Sequence, residues 1–379
     1  MPDNNQTVRP ITVGIGTRSY NATYSYAGLA PPGVRFVRAM RLPLNRSWPE
    51  SLTARNTYVP LDPRLDLLHL MNGVVALGWP TPWVTSFESM IPRLDARHEE
   101  SRLRSALVNR LLSPRCRLLI AWSEHARSWL GAIHDDETAA LLRQKTVVFT
   151  GSTGPAVSEP KLLELPLRVA FVGGALLAKG GVALLRAAKR AADTHLPVEI
   201  TMVGSPDRLT EVTPPAELYR EEARSLLRYV TSIEQLSEAD TRQLIETSHV
   251  LVLPSLQETL GWVTLEAMQR ATVPIVAGIA AQPELVGSSG IVLPIPIGEL
   301  GRWRGLDLVG REREAVTRET LDGLADTIYA ALEQLVDDPD RYAQLSSATL
   351  DEYRRRFSPD EASRRLRSLY DRALNLPQA

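Results

Sequence analysis

Two glutamates with seven residues between them, Glu258 and Glu266, flank a turn at Gly261 in the run Pro254-Ser255-Leu256-Gln257-Glu258-Thr259-Leu260-Gly261-Trp262-Val263-Thr264-Leu265-Glu266. A carboxylate accepts two hydrogen bonds from a vicinal diol but has no use for a phosphate. Between the two acids, the N–H groups of Leu260, Gly261, Trp262 and Val263 fall where a helix begins. Amides at a helix start lack carbonyl partners and sit at the positive end of the helix dipole, so they suit phosphate oxygens. Gly261 lets such a ligand come close. The chemistry this spacing offers is a diphosphate held by amides, with Glu258 gripping sugar hydroxyls on one side and Glu266 ribose hydroxyls on the other. A reading without a ligand also accommodates both acids, as a solvated helix carboxylate and a loop acid near a positive helix end.

A second phosphate signal is Gly173-Gly174-Ala175-Leu176-Leu177-Ala178-Lys179-Gly180-Gly181. It follows an apolar stretch and opens a helix, so Gly173 and Gly174 expose amides while Lys179 supplies a point charge suited to a diphosphate. No Ser or Thr follows the lysine, which excludes a Walker A loop. Two helix starts in the same half thus converge on one diphosphate at the carboxyl ends of parallel strands.

Both loops need a doubly wound sheet beneath them, and the flanking residues supply its pattern. Short apolar runs rich in β-branched residues, Leu167 to Gly174, Val198 to Gly204, His249 to Leu253 and Ile275 to Ala277, alternate with amphipathic helices at Val182 to Ala192 and Glu238 to Thr247. The helix opening at Gly261 is expected to stop at Ala271-Thr272-Val273-Pro274. The first half repeats the theme with strands expected at Ile11–Ile15, Val34–Ala39, Leu65–Leu70, Trp83–Phe87, Arg117–Trp122 and Thr146–Phe149, and a long helix over Asp95–Leu112. From Leu321 onward the chain reads as helical, over Arg341–Arg356 and again, after Phe357-Ser358, over Pro359–Leu374. At 379 residues the chain suits two domains. The expected boundaries are 1–158, 159–358 and a closing helical segment 359–379, with a linker at Val157-Ser158-Glu159-Pro160.

At these motifs the second half resembles the donor-binding domain of retaining glycosyltransferases of family 4 (glycosyl transferases group 1). The similarity runs from Arg168 to about Tyr370, through Val172-Gly173 to Lys179-Gly180, Glu258 to Met268 and Pro283-Glu284-Leu285-Val286. The resemblance implies an α/β GT-B fold, two facing Rossmann-like domains with a cleft between them, whose closing helix returns to the first domain. It also implies transfer of a hexosyl-type sugar from a nucleotide-diphosphate sugar to an acceptor with retention of anomeric configuration. Glu266 would then hold the donor ribose, the amides around Gly261 and the Lys179 side chain the diphosphate, Glu258 the transferred sugar, and the region of Ile233 and Glu234 the nucleobase. Two positions depart from the family: its arginine partner to the lysine is Gly174 here, and the histidine slot in Trp83 to Pro92 holds Glu88. Glu88 can orient a sugar hydroxyl or act as a base toward the acceptor, and equally it can pair with Arg93.

Other features limit the alternatives. Gly14-Ile15-Gly16 lets a ligand approach after the first strand, with Gly16 at the turn, but Ser19 and the lack of an acid ending a second strand argue against NAD. His69 is read as a structural histidine before a catalytic one, and Asp338-Pro339-Asp340 as a helix cap before a metal motif. No paired aspartates call for a metal, no cofactor is expected, and no nucleic acid is expected of a chain of net charge -1. The first 158 residues carry 18 basic against 12 acidic side chains, which suits a solvated surface or weak contact with an anionic acceptor or membrane. A single cysteine, Cys116, a polar start and no apolar run of about 18 residues fit a cytoplasmic protein. Two other functions fit the same residues: a catalytically silent nucleotide-sugar binder or partner protein of this fold, and a nucleotide-sugar epimerase. Acceptor, nucleobase and oligomeric state are not written in the motifs.

Overall fold

The computed structural model describes residues 9–16, 20–40, 57–58, 61, 63–78, 80–94, 102–208 and 216–376. Met1 to Val8, Ser19 and residues 95–101 of the expected long helix lie outside the described residues. The chain forms two compact units, Met1–Ser152 with Phe357–Ala379, and Thr153–Arg356.

In the first unit, strands β1 (Ile11–Ile15), β2 (Val34–Arg38), β3 (Thr57–Tyr58), β4 (Leu67–Leu70), β5 (Val75–Ala76), β6 (Trp83–Phe87), β7 (Cys116–Ala121) and β8 (Thr146–Val148) alternate with helices α1 (Tyr20–Ser25), α2 (Arg102–Leu112), α3 (Glu124–Ile133) and α4 (Asp136–Gln144). Six of the strands make one parallel sheet in the order β2-β1-β4-β6-β7-β8, and β3 pairs β5 apart from it. Every residue of β6 is buried, as a parallel strand covered on both faces requires, and Trp83, Phe87, Leu107, Leu111 and Leu119 form its core. At the carboxyl end of β4, His69 is 1% exposed, stacked on Tyr26 at 3.9 Å between ring centres.

The second unit contains β9 (Leu167–Ala175), α5 (Gly181–Asp193), β10 (Val198–Ser205), α6 (Ala216–Leu226), β11 (Thr231–Ile233), α7 (Glu238–Thr247), β12 (Val250–Leu253), α8 (Trp262–Gln269), β13 (Val273–Ala277), α9 (Gln282–Val286), β14 (Ile291–Leu293), α10 (Gly310–Asp337) and α11 (Pro339–Phe357). Its strands form one parallel sheet, β11-β10-β9-β12-β13-β14. Phe171, Leu185, Ile200, Met202, Val252, Ile275, Ile328 and Leu332 fill the space between sheet and helices α5 and α10. Because the strands are parallel, all their carboxyl ends lie along one edge of the sheet, and the loops after β9, β10, β12 and β13 gather there.

Several expectations need correction. Helix α8 does end at the expected segment, where Ala271 takes a left-handed φ of 55°, but β13 begins at Val273 rather than Ile275, with Pro274 inside it. Strands β11 and β14 carry no apolar signal long enough to read, three residues each. Helix α10 begins at Gly310, ahead of Leu321, because its first turns Arg-Glu-Arg-Glu are charged and lack an apolar period. The expected linker is tied into the second unit: Val157 N–H donates to the Gln269 carbonyl at 3.0 Å, and the Arg354 guanidinium to the carbonyls of Val157 and Ser158.

Helix α12 (Pro359–Leu374) closes onto the first unit. Its Arg367 pairs with Asp371, both buried, and donates to the carbonyls of Pro32 and Arg9 at 2.9 Å. The Tyr370 hydroxyl lies 2.8 Å from His69 Nδ1. Among the described residues no helix is long and apolar enough to cross a membrane.

Candidate functional site

The loops after β9 and β12 are stitched together by their own backbones. The Ala178 carbonyl accepts from the N–H groups of Leu256 and Gln257 at 3.1 and 3.2 Å. Gly180, at φ 69°, lies so close to the Pro254 carbonyl that a Cβ would stand 1.9 Å from its oxygen, so only glycine fits. This junction fixes where Lys179 emerges. Its aliphatic stem lies over Gly173, where a Cβ would meet the Lys179 Cγ at 2.8 Å. Its ammonium donates to Glu258 Oε2 at 2.8 Å and to the Gln257 carbonyl at 3.0 Å. The other oxygen of Glu258, Oε1, accepts from the Thr259 N–H at 3.1 Å. The Lys179 and Glu258 side chains are 28% and 11% exposed, a partly shielded pair at the lip of the sheet.

Helix α8 starts directly behind this pair. Gly261 is its N-cap at φ 82°, and a Cβ there would stand 1.9 Å from Gln282 Nε2. Gln282, fully buried at the start of α9, donates to the Leu260 carbonyl at 2.6 Å and accepts from the Thr264 hydroxyl at 2.8 Å. It therefore clamps the loop on one side of Gly261 and the first helical turn on the other. That clamp holds the start of helix α8, Leu260 to Val263, in one orientation. One helical turn on, Glu266 is 5% exposed and shares the helix with the amide cluster.

The parallel sheet thus brings Gly173, Gly174, Lys179, Glu258, Leu260, Gly261, Trp262, Val263 and Glu266 to one edge of the second unit. Ile233 ends β11 on the same edge, two strands from β9. Glu88 and Gly16 belong to the first unit. Gly16 follows the end of β1, and Glu88 follows β6 with its carboxylate 3.8 Å from Arg93. His69 sits between Tyr26 and Tyr370, stacked on the first and edge-on to the second, and burial lowers its pKa to about 3. Asp338 caps α11, its Oδ1 accepting from the Arg341 N–H at 2.9 Å.

Sequence reasoning missed two residues. Gln282 carried a faint signal, since it stands immediately before the Pro283-Glu284-Leu285-Val286 segment. Arg208 carried none: it follows β10 in a polar turn, yet a Cβ on Gly174 would stand 2.7 Å from its Nη1.

What the edge can do chemically follows from these parts. An ammonium beside a carboxylate, next to a helix start braced by a buried amide, provides cation, anion and N–H donors within one loop pair. Such groups have the chemistry to bind phosphate oxygens and hydroxyls.

The comparisons with known proteins point to the same class. Residues 166–298, which span all of this edge, match the family model described as Glycosyl transferases group 1. Alpha-maltose-1-phosphate synthase of Mycobacterium tuberculosis is 31% identical across 53% of this chain. The match covers 52% of that relative, so the chain spans about half its length. Among solved structures, a glycosyltransferase from Rickettsia africae superimposes with a TM-score of 0.59 over 97% of this chain and 99% of that one, at 11% identity. Anabaena Alr3699/HepE in complex with UDP-glucose gives 0.57 over 94% and 98%, at 13% identity. At such identities the likeness is one of fold: two α/β Rossmann-like units with parallel sheets, the architecture of GT-B glycosyltransferases.

Proposed function

We propose that this protein is a retaining glycosyltransferase that moves a hexosyl unit from a nucleotide-diphosphate sugar to an acceptor. The observation that carries the reading is the Lys179–Glu258 pair at 2.8 Å beside the α8 start, inside the segment that matches the family model. In this reading the diphosphate lies against the amides of Leu260 to Val263, and Lys179 turns from Glu258 toward it. Glu258 is then released to accept hydrogen bonds from the sugar, while Glu266 accepts from the ribose hydroxyls and Ile233 borders the base.

Transfer breaks the bond between the anomeric carbon and the diphosphate oxygen, and the electron pair leaves with that oxygen. The acceptor oxygen bonds to the same carbon on the face the diphosphate leaves, and its proton passes to the departing diphosphate oxygen. Charge therefore develops on the leaving diphosphate, where Lys179 and fixed N–H dipoles stabilise it more in the transition state than in the ground state. In this reading Lys179 and the amides, rather than a metal ion, stabilise the departing diphosphate.

The test is a panel of nucleotide sugars offered with saccharide, lipid-linked and small-molecule acceptors, with release of nucleoside diphosphate followed in time. Lys179→Ala and Glu258→Ala should each lower transfer by about 100-fold or more, as loss of one preorganised charge-stabilising group does. NMR of the product should show the donor's anomeric configuration. Unchanged turnover in both variants, or an inverted product, refutes the assignment.

A further inference from the structure

The edge described above has one imbalance. Lys179 is already matched by Glu258, so the pair brings no net charge to a diphosphate that is multiply anionic and becomes more so as the sugar leaves. A second cation stands ready. Arg208, just past the end of β10, is exposed, and its guanidinium lies over Gly174, where a Cβ would stand 2.7 Å from Nη1. Lys179 covers the preceding glycine in the same way. Consecutive glycines at the tip of the central strand β9 therefore make room for two cations, one reaching in from the loop after β9 and one from the loop after β10. The Arg208 guanidinium makes no ion pair with another described residue, whereas the neighbouring Asp207 is taken by Arg224 and Arg220.

We propose that Arg208 is the second cation of the diphosphate cradle, closing its β10 side with a planar fork of N–H donors that matches two phosphate oxygens at once. The proposal rests on the donor reading given above. It accounts for two consecutive glycines near the end of β9: a side chain at Gly173 would push Lys179 away, and one at Gly174 would push Arg208 away.

The test compares wild type, Arg208→Ala and Arg208→Lys in the full chain, using UDP, ADP, GDP and dTDP with their monophosphates as calorimetric probes. A diphosphate fork predicts that Arg208→Ala weakens the preferred diphosphate by about 10- to 100-fold, the range for a hydrogen bond to a charged group, while the monophosphate changes by less than about 3-fold. Arg208→Lys should recover part of the loss, because it keeps the charge without the fork. Thermal melting should be unchanged, since the side chain is exposed. Equal diphosphate affinity in wild type and a folded Arg208→Ala overturns the role of Arg208 while leaving the donor reading standing. A wild type that binds no probe of either series overturns the donor reading itself, and this proposal with it.

Discussion

Replacing Glu258 by glutamine separates binding from transfer, because the substitution keeps the shape of the side chain and removes the charge that holds Lys179. In the structure the two groups are 2.8 Å apart. At that distance and an effective dielectric of about 20, the direct attraction is about 6 kcal/mol. Desolvation and solvent screening of a partly exposed pair cancel most of it, leaving a net contribution of about 1 kcal/mol. A diphosphate must overcome that net term to draw Lys179 away. A neutral amide imposes no such term and also removes a negative charge from the cradle, so Glu258→Gln should bind the free nucleoside diphosphate about 5-fold more tightly. Transfer should move the other way. An amide in place of the carboxylate forfeits one charge-assisted hydrogen bond to the sugar, lowering turnover by about 10- to 100-fold. Calorimetry with the nucleoside diphosphate and initial-rate assays of its release read the two effects independently. Weaker diphosphate binding in Glu258→Gln would mean that the carboxylate orients Lys179 for the ligand rather than competing for it, and the reasoning would fail.

Two further outcomes follow from the structure. Gly261→Ala must hold alanine at φ 82° and drive its Cβ into Gln282. It should lose about 2–3 kcal/mol in urea denaturation and lose nucleotide binding with it; a variant as stable as wild type would show that α8 does not depend on this cap. Acid should destabilise the first unit through His69: its folded pKa is lowered to about 3 from an ordinary 6.5, so the unfolded chain takes up a proton that the native state refuses as pH falls through that window. By pH 5 the loss from this residue is about 2 kcal/mol, and His69→Gln, though less stable at pH 7, should show a correspondingly flatter decline between pH 7 and 5. Parallel declines in the two proteins would assign the acid sensitivity elsewhere.

The parts of the site that are legible in the sequence are those whose chemistry is local. Glu258, Gly261 and Glu266 share one loop and helix, and Gly173 and Lys179 share another, so their spacing alone puts acid, amide and cation in order. The parallel sheet is legible for a similar reason, since β12 and β13 are short, apolar on both faces and flanked by helices. Gln282 and Arg208 are not legible, because each reaches the site from a different strand end and acts through one side-chain contact. Strand order makes them neighbours: β13 delivers Gln282 beside the α8 start, and β10 delivers Arg208 beside β9. Nothing in the local composition marks either.

The glycines show most clearly where sequence reasoning stops. A glycine-rich turn after a strand signals backbone that a phosphate can approach, and Gly173 and Gly174 read that way. The atoms that would collide with a side chain at these positions are nonetheless the Lys179 stem and the Arg208 guanidinium. The same residues therefore carry two requirements, an exposed amide for the ligand and empty space for the cations that neutralise it. An arginine that grew directly from position 174 would fill that space with a cation of its own and displace Arg208 in doing so. Gly174→Arg in an Arg208→Ala background is thus the decisive exchange. If the cradle needs a second cation irrespective of its origin, the double variant should regain at least half of the diphosphate affinity lost by Arg208→Ala, read by the same calorimetry. If it does not, the position of Arg208 matters as well as its charge, and the loop after β10 is part of the recognition surface.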